Sequence, residues 1–497
     1  MELLGEGLLN VLEPTVFIVI VLGILVGMFI GAIPGLTATM GVAVMLPVTF
    51  GMEPLSGLLL LIGVYFGGIY GGSLTAILLR TPGTPSSAAT VIDGYPMTQR
   101  GEGDRALIIA LVASFVGGII GVLVLIFISP QIAKFALEFR SPETFGLAVF
   151  GLSIIASVSG KSILKGIIAA LIGLFIASVG LDPVTAQSRF TFGSTNLSGG
   201  IELIPALIGL FAAAEAFRMI HEEKKMAIPQ VKYSHLFRHI FDTFRGWVNL
   251  IRSSLIGVFI GIIPGAGADI ASFVSYNEAK RWTRRKSTYD FGEGKEEGVA
   301  APESANNGLT AGAFVPLLTL GIPGDAVAAV MLGALIIQGV RPGPQIFETN
   351  GELVYSIFSG MLVSYLILFI VGLICIKYFV KILDVPKILL APIVLTICVV
   401  GAFAVNNNYF DVYVMLATAI LGYFLIKLEI PVSPIIIALI LGPMAEREFR
   451  RALVVSDGSY TIFLQSPIAL TLIILAALSF FLPILQKYIK NKKEGRR

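Results

Sequence analysis

Two stretches of the chain carry nearly the same small-residue motif around a Pro-Gly pair. They are Gly27-Met-Phe-Ile-Gly-Ala-Ile-Pro-Gly-Leu-Thr-Ala38 and Gly257-Val-Phe-Ile-Gly-Ile-Ile-Pro-Gly-Ala-Gly-Ala268. Proline removes a backbone donor and glycine adopts non-helical dihedral angles, so each apolar segment is predicted to stop being helical there. The freed peptide groups are tolerated at membrane depth only where they line a cavity enclosed by protein or filled with water.

A second pair of breakers follows, at Arg80-Thr-Pro-Gly-Thr-Pro-Ser-Ser87 and at Leu320-Gly-Ile-Pro-Gly-Asp325. Half-helices that begin at such loops direct amides with partial positive charge at the centre of the protein, where a carboxylate is the natural ligand. For any single residue, helix packing or capping explains the sequence equally well. The predicted substrate contacts are Pro34, Gly35, Thr37, Thr81, Pro82, Gly83, Thr84, Pro264, Gly265, Gly267, Asn306, Asn307, Pro323 and Gly324.

Side-chain oxygens in the same loops are candidate ligands for a small cation: Asp269, Asp325, Ser86 and Ser87. A charged side chain at membrane depth is costly unless it is paired or faces water. Helix capping is the alternative role for both aspartates. Glu303 is predicted to start a broken span, where it also has a capping role, and Arg80 is predicted to end one, reaching either the interface or a bound anion.

The composition is that of a polytopic helical membrane protein, since 56% of the 497 residues are hydrophobic and 13% are charged. A crossing of the hydrocarbon core takes about 20 apolar residues. Apolar runs near that length lie at 55–79, 106–129, 144–160, 163–181, 201–220, 306–320, 352–376, 388–404, 412–428, 429–443 and 460–485. The net charge of +3 is too small to indicate nucleic-acid binding.

Basic residues concentrate in 218–252, in 280–286 and in the tail from Lys487, and the positive-inside rule places all three in the cytoplasm. The acidic N-terminus is predicted to lie outside. Segment 253–279 then enters and leaves on one side, as a re-entrant hairpin, and 16–49 is its counterpart from the other side. Five spans lie between the two hairpins, and an odd number of crossings inverts the second copy relative to the first. The inversion also holds if 16–49 forms two short spans instead of a hairpin.

The predicted organisation is therefore an all-α fold with inverted-topology repeats, re-entrant hairpins and broken transmembrane helices. The first repeat is 1–217, with a broken span at about 55–100, and the second is 253–459, with a broken span at about 298–340. A cytoplasmic amphipathic linker, 218–252, joins them, and 460–497 supplies the last helix and a basic tail.

The linker has apolar residues at three-to-four-residue spacing among basic ones, which is typical of a helix lying on the inner leaflet. All three histidines, His221, His235 and His239, fall within it, and headgroup contact is favoured over a metal or proton-relay role. Cys375 and Cys398 lie in apolar spans and are interpreted as buried small hydrophobes. No transition-metal site, no cofactor and no catalytic residue is predicted.

Other classes fit less well. An intramembrane aspartyl protease needs a Gly-x-Gly-Asp turn, and Gly265-Ala-Gly-Ala-Asp269 misses that spacing by one residue. Serine or zinc chemistry lacks a histidine in the spans, and a nucleotide-driven pump lacks a phosphate-binding loop. A passive anion channel or a membrane assembly scaffold remains the alternative.

Five motifs in order give the chain its resemblance to a known family: Gly31-Ala-Ile-Pro-Gly35, Thr81-Pro-Gly-Thr-Pro-Ser-Ser87, Gly261-Ile-Ile-Pro-Gly-Ala-Gly267, Ala301-Pro-Glu-Ser-Ala-Asn-Asn307 and Gly321-Ile-Pro-Gly324. Over about residues 10–485 the chain resembles the large membrane subunit (TctA type) of the tripartite tricarboxylate transporters.

The resemblance implies a permease in the bacterial inner membrane that imports citrate or other carboxylates by symport with a cation. Na⁺ is the favoured coupling ion and H⁺ is the alternative. Its partners would be a small four-helix membrane subunit (TctB type) and a periplasmic solute-binding protein (TctC type). A homodimer is left open. An elevator mechanism is also implied, with Pro34-Gly35, Pro264-Gly265, Asn306 and Asn307 as substrate contacts.

Overall fold

The computed structural model describes residues 2–33, 35–158, 162–182, 185–220, 236–283, 289–376 and 387–494, and most of these residues are α-helical. The α-helices are α1 (Glu2–Val11), α2 (Pro14–Ala32), α3 (Ala38–Met45), α4 (Pro54–Leu79), α5 (Val91–Gln99), α6 (Gly103–Ala136), α7 (Ser141–Val158), α8 (Ile163–Ala177), α9 (Leu203–Leu207), α10 (Ala214–Met219), α11 (Leu236–Phe244), α12 (Trp247–Ile262), α13 (Gly267–Trp282), α14 (Glu296–Leu320), α15 (Ala326–Ile337), α16 (Ile346–Thr349), α17 (Gly351–Cys375), α18 (Lys387–Asn406), α19 (Tyr409–Lys427), α20 (Ser433–Val455), α21 (Ile462–Gln465) and α22 (Pro467–Glu494).

The predicted all-α membrane fold is confirmed at the level of its helices. Among the described residues, five helices are long and apolar enough to cross a membrane: α2, α4, α6, α17 and α19. Several other predicted apolar runs form shorter or interrupted helices. The run 201–220, for example, contains a π-helical stretch at Ile208–Ala213, and the run 163–181 leaves the helix after Ala177.

Helices α2 and α4 run parallel and touch through glycine. A Cβ atom added to Gly27 would overlap the carbonyl oxygen of Val64, and one added to Gly31 would overlap that of Gly68. Contacts that advance in the same direction along both helices define a parallel pair. Helices α12 and α14 pack in the same way, because Gly257 lies against Ala305 and Gly261 against Leu309. Small residues spaced four apart allow this close approach.

The helix between each parallel pair runs back in the opposite direction. In the first unit, Ala38 at the start of α3 contacts Gly68, whereas Gly41 contacts Val64. In the second unit, Gly265 just before α13 donates to the Gly324 carbonyl at 2.7 Å, and Ser275 donates to the Ala301 carbonyl at 2.9 Å. The chain therefore reverses at both Pro-Gly interruptions.

The two units meet through α4 and α14. Tyr65 in α4 donates to Asp325, which lies beyond the end of α14, while Ser73 further along α4 donates to Glu303 in the first half of α14. These contacts run in opposite directions along the two helices, so α4 and α14 are antiparallel. Helix α4 is almost wholly buried, and α6 packs along α14 at Gly117 and Gly121.

The remaining helices surround these units. Helices α7, α8, α20 and α22 pack together, and α18 and α19 pack with the segment that contains the π-helix. A short antiparallel ribbon, β1 (Gly180–Leu181) and β2 (Ser188–Arg189), pairs Gly180 with Arg189. Arg189 bonds Glu446 of α20 at 2.7 Å, and its guanidinium lowers the pKa of that carboxyl below the ordinary value.

The linker prediction concerns 218–252, of which 221–235, with His221 and His235, lies outside the described residues. In α11, Leu236 and Ile240 pack against the core, whereas Phe237 and Phe241 are exposed. The apolar residues therefore divide between protein and surroundings. The described histidine, His239, lies 3.9 Å from Asp104. The linker's last residues belong to α12, which begins at Trp247, ahead of the predicted hairpin start at 253.

Substitution of Gly27 or Gly257 by alanine is expected to lower the melting temperature of the detergent-solubilised protein. Alanine alone favours a helix by up to about 1 kcal/mol, but overpacking against a backbone carbonyl costs about 1–3 kcal/mol. Gly5→Ala is the matched control, since a Cβ at that helical position meets nothing within 4 Å. Melting temperatures that rise equally in all three variants would contradict the observed close packing.

Candidate functional site

A cavity of about 700 Å³ lies where the interruptions of the two units face each other. The first unit contributes Thr37, Thr84 and Ser86 to its wall, and the second contributes Gly265, Gly267, Asp269 and Asp325. Residues as far apart in the sequence as Thr37 and Asp325 thus line one cavity. The structure brings together seven of the predicted substrate and cation contacts at this point.

Three helices begin at this cavity. Helix α3 starts beside Thr37, whose hydroxyl accepts from the Met40 amide at 3.2 Å, α13 starts at Gly267, and α15 starts after Asp325. The first amides of a helix lack intrahelical partners and carry partial positive charge. The starts of α3 and α13 therefore place partial positive charge at the cavity, whereas the start of α15 is capped by Asp325.

Asp325 is the N-cap of α15. One of its carboxylate oxygens accepts from the Ala328 amide at 2.7 Å, and the other accepts from the Tyr65 hydroxyl at 2.6 Å. The capping alternative from the sequence is thus observed for this residue. Asp269 instead lies in the first turn of α13 and is exposed toward the cavity.

The loop after α4 is held by its own hydroxyls. The hydroxyl oxygens of Thr84 and Ser86 lie 2.8 Å apart, and Ser87 donates to the Thr84 carbonyl at 2.9 Å. Thr84 and Ser86 line the cavity, while Ser87 is fully buried. Thr81 donates to the Leu79 carbonyl, and Pro82 is exposed.

Other predicted contacts support the backbone around the cavity. The carbonyl of Gly35 accepts from Arg218 at 3.1 Å, while Pro264 and Pro323 are buried. Gly83 packs over the Gly31 carbonyl, as Gly324 packs over the Gly261 carbonyl. Pro34 lies outside the described residues. Arg80 is exposed at the left-handed end of α4, 5.8 Å from the Tyr95 ring, and does not line the cavity.

Asn306 and Asn307 lie inside α14, fully buried, and do not line the cavity. Asn307 donates to Asn306 at 2.7 Å, and Asn306 donates to the Glu303 carboxylate at 3.4 Å. The prediction that Glu303 starts or caps the broken span is wrong, because α14 begins at Glu296 and Glu303 is buried in its interior.

Two charged residues of the cavity wall, Lys165 and Glu429, were not predicted from the sequence. The Lys165 ammonium donates to the Leu428 carbonyl at 2.6 Å. A single lysine in the apolar run 163–181 was the available signal, since a charge in such a run must face water or a partner. Glu215, in the run 201–220, lines the same cavity and pairs with Arg218.

Within the described ranges, no group of three or more His, Cys, Asp or Glu side chains is placed to hold a metal ion. Cys398 is buried as predicted, and Cys375 is partly buried.

The fold and cavity define a polytopic membrane protein with a site between two interrupted helical units, whose largely apolar wall carries several polar and charged side chains. The Tripartite tricarboxylate transporter TctA family profile matches residues 17–437, so the chain belongs to this family. The sequence-based recognition of the family is confirmed.

Two relatives from Agrobacterium vitis are similar to this chain. An "uncharacterized 52.8 kDa protein in TAR-I ttuC' 3'region" is 37% identical over 493 residues, covering 99% of this chain and 97% of the relative. An "uncharacterized protein in TAR-II ttuC' 3'region" is 39% identical over 238 residues, covering 48% of this chain and 97% of that relative. No solved structure matches the chain.

Proposed function

We propose that this chain is the permease subunit of a secondary active, cation-coupled tripartite transporter that imports tricarboxylates or related organic carboxylates. The observation that carries the proposal is the cavity of about 700 Å³ at which three helices begin. Helix amides compensate part of the cost of removing a carboxylate from water, and a co-bound cation compensates more. Na⁺ is the favoured coupling ion and H⁺ the second, with Asp269, Asp325 and Ser86 as cation ligands within the cavity.

The two units are proposed to be inverted repeats that move together against a fixed frame. Support comes from the shared arrangement of a parallel outer pair and a reversed middle helix, and from the antiparallel α4 and α14. The N-terminus is assigned to the outside and the C-terminus to the cytoplasm by the positive-inside rule. The proposed partners are a TctB-type subunit and a TctC-type binding protein that delivers the carboxylate.

The test is uptake of labelled citrate into proteoliposomes that contain this chain, its small membrane subunit and the binding protein. An inward Na⁺ gradient should drive accumulation above the external concentration, and collapse of that gradient by an ionophore should release the label. Equilibration without accumulation would favour the passive channel instead. If citrate is not taken up but the Na⁺ gradient drives uptake of another di- or tricarboxylate, the proposed substrate is wrong and the proposed mechanism still holds.

A further inference from the structure

Glu303 is a buried carboxylate that lies outside the cavity wall and is surrounded by hydroxyl groups. Its exposure is 0%. One carboxylate oxygen accepts from Ser73 at 2.6 Å and from Ser114 at 3.4 Å, and the other accepts from Thr90. Four segments therefore meet at this carboxylate: α4, the end of the loop before α5, α6 and α14 itself.

The charge of Glu303 has no counterpart among the side chains that the structure describes. Within the described ranges, no Lys, Arg or His forms an ion pair with it, and its side-chain partners are hydroxyls and the Asn306 amide. An isolated buried carboxylate is strongly unfavourable unless it is neutralised. The group must therefore take up a proton or bind a cation.

The surrounding atoms are ligands for a hard cation. The carboxylate and the three hydroxyls supply oxygen atoms, and a hydroxyl that donates to the carboxylate can rotate to present a lone pair to an ion. A further buried oxygen is available nearby, because Asn307 donates its amide to Asn306 and to the Glu303 carbonyl while its own Oδ1 accepts nothing. A buried carbonyl oxygen without a hydrogen bond is uncommon, and an ion or a water molecule at this position would satisfy it.

We propose that Glu303, with Ser73, Thr90 and Ser114, holds a dehydrated Na⁺ ion at a site separate from the carboxylate cavity. Its role as a coupling site rests on the function proposed above.

A short loop connects this site with the cavity. Thr84 and Ser86 line the cavity at one end of the loop, and Thr90 contacts Glu303 at the other. Within the loop, Ser87 donates its amide to the Thr84 carbonyl and Thr90 donates its amide to the Ser87 carbonyl, each at 3.1 Å. An ion that fixes Thr90 therefore also orders the hydroxyls that face the cargo, which gives a physical path for coupling.

The test measures the melting temperature of the purified full-length protein, without carboxylate, while sodium chloride replaces choline chloride at constant ionic strength. A ligand that binds only the folded state raises the melting temperature with its concentration. The cation proposed for the cavity binds together with the carboxylate, so it does not contribute in this assay. The wild type should therefore respond to Na⁺ through Glu303, and Glu303→Gln, which keeps the side-chain size without the charge, should not. Asp93→Asn is the matched control, since Asp93 is equally buried but is bound by amides and a phenol.

The proposal is overturned if Glu303→Gln still responds to Na⁺. It is also overturned if the response is lost in Asp269→Asn or Asp325→Asn and not in Glu303→Gln. The absence of a Na⁺ response in the wild type, or a response to pH alone, also overturns it.

Thr90→Val provides a second variant in case Glu303→Gln does not fold. It keeps the carboxylate and the side-chain shape, and it should weaken the apparent Na⁺ affinity about tenfold or more. An unchanged affinity contradicts Thr90 as a ligand and with it the proposed site. Wild-type uptake that ignores the Na⁺ gradient would contradict cation coupling while the Na⁺ response in the melting assay still supports the site.

Discussion

Substitution of Gly265 by valine should reduce carboxylate uptake about a hundredfold, the loss expected when groups that hold a ligand are misplaced by about 1 Å. Gly265 has a φ angle of 76°, and its amide donates to the Gly324 carbonyl at 2.7 Å. A β-branched residue is strained in this left-handed conformation by about 1–3 kcal/mol. The interruption should therefore shift, and with it the start of α13 at the cavity.

The measurement compares citrate uptake in proteoliposomes with membrane insertion judged by protease protection. Gly51→Val is the control, since Gly51 has a φ angle of 79° but lies in an exposed loop where a Cβ meets nothing within 4 Å. It carries the same backbone strain away from the cavity and should transport normally. Equal citrate uptake by Gly265→Val and the wild type would show that the interruption at Gly265 is not part of the substrate site.

Loss of the Asp93 carboxylate should produce the largest stability effect outside the cavity. This buried group accepts from the amides of Gly292, Gly294 and Lys295 at 2.7–2.9 Å and from the Tyr276 hydroxyl at 2.8 Å. Each buried donor that is left without a partner costs about 1–3 kcal/mol. Asp93→Ala should therefore lower the free energy of unfolding by about 3 kcal/mol or more.

Asp93→Asn should cost less, because its amide oxygen can still accept from the three loop amides, and the loss is confined to the charge and to the oxygen that accepts from Tyr276. Asp290→Ala, at an exposed carboxylate of the same loop, should leave stability unchanged. Melting temperatures in detergent rank the three variants. An Asp93→Ala protein as stable as Asp290→Ala would show that this loop is not held by the carboxylate.

The sequence was most informative where local chemistry determines the backbone. The helices end at each Pro-Gly interruption, and Gly35 and Gly265 adopt left-handed dihedral angles that other residues disfavour. The apolar composition likewise determined the fold class. The cavity wall was predicted in part, since the predicted contacts Thr37, Thr84, Asp269 and Asp325 line it together.

The sequence was less informative where contacts between distant segments determine the position of a side chain. Glu303 was predicted to start or cap the broken span, but α14 begins at Glu296, and α6 and α12 pack along it so that Glu303 lies in the helix interior. Asp93 carried no local signal, since the amides that bind it lie about 200 residues further on. Lys165 was visible as a charge in an apolar run, but only the fold turns it toward the site.

The glycine contacts between α2 and α4, and between α12 and α14, leave these helix pairs no slack. Carbonyl oxygens seated directly on α-carbons cannot slide past one another without losing the contact along the whole seam, so each pair behaves as a single rod. Bending within either unit is then expected to occur at 35–37, 80–84, 263–266 and 321–325, where the described backbone is not helical. Motion of the two units as one body would leave these segments unchanged, so a stiffened segment is predicted to affect local binding more than transport as a whole.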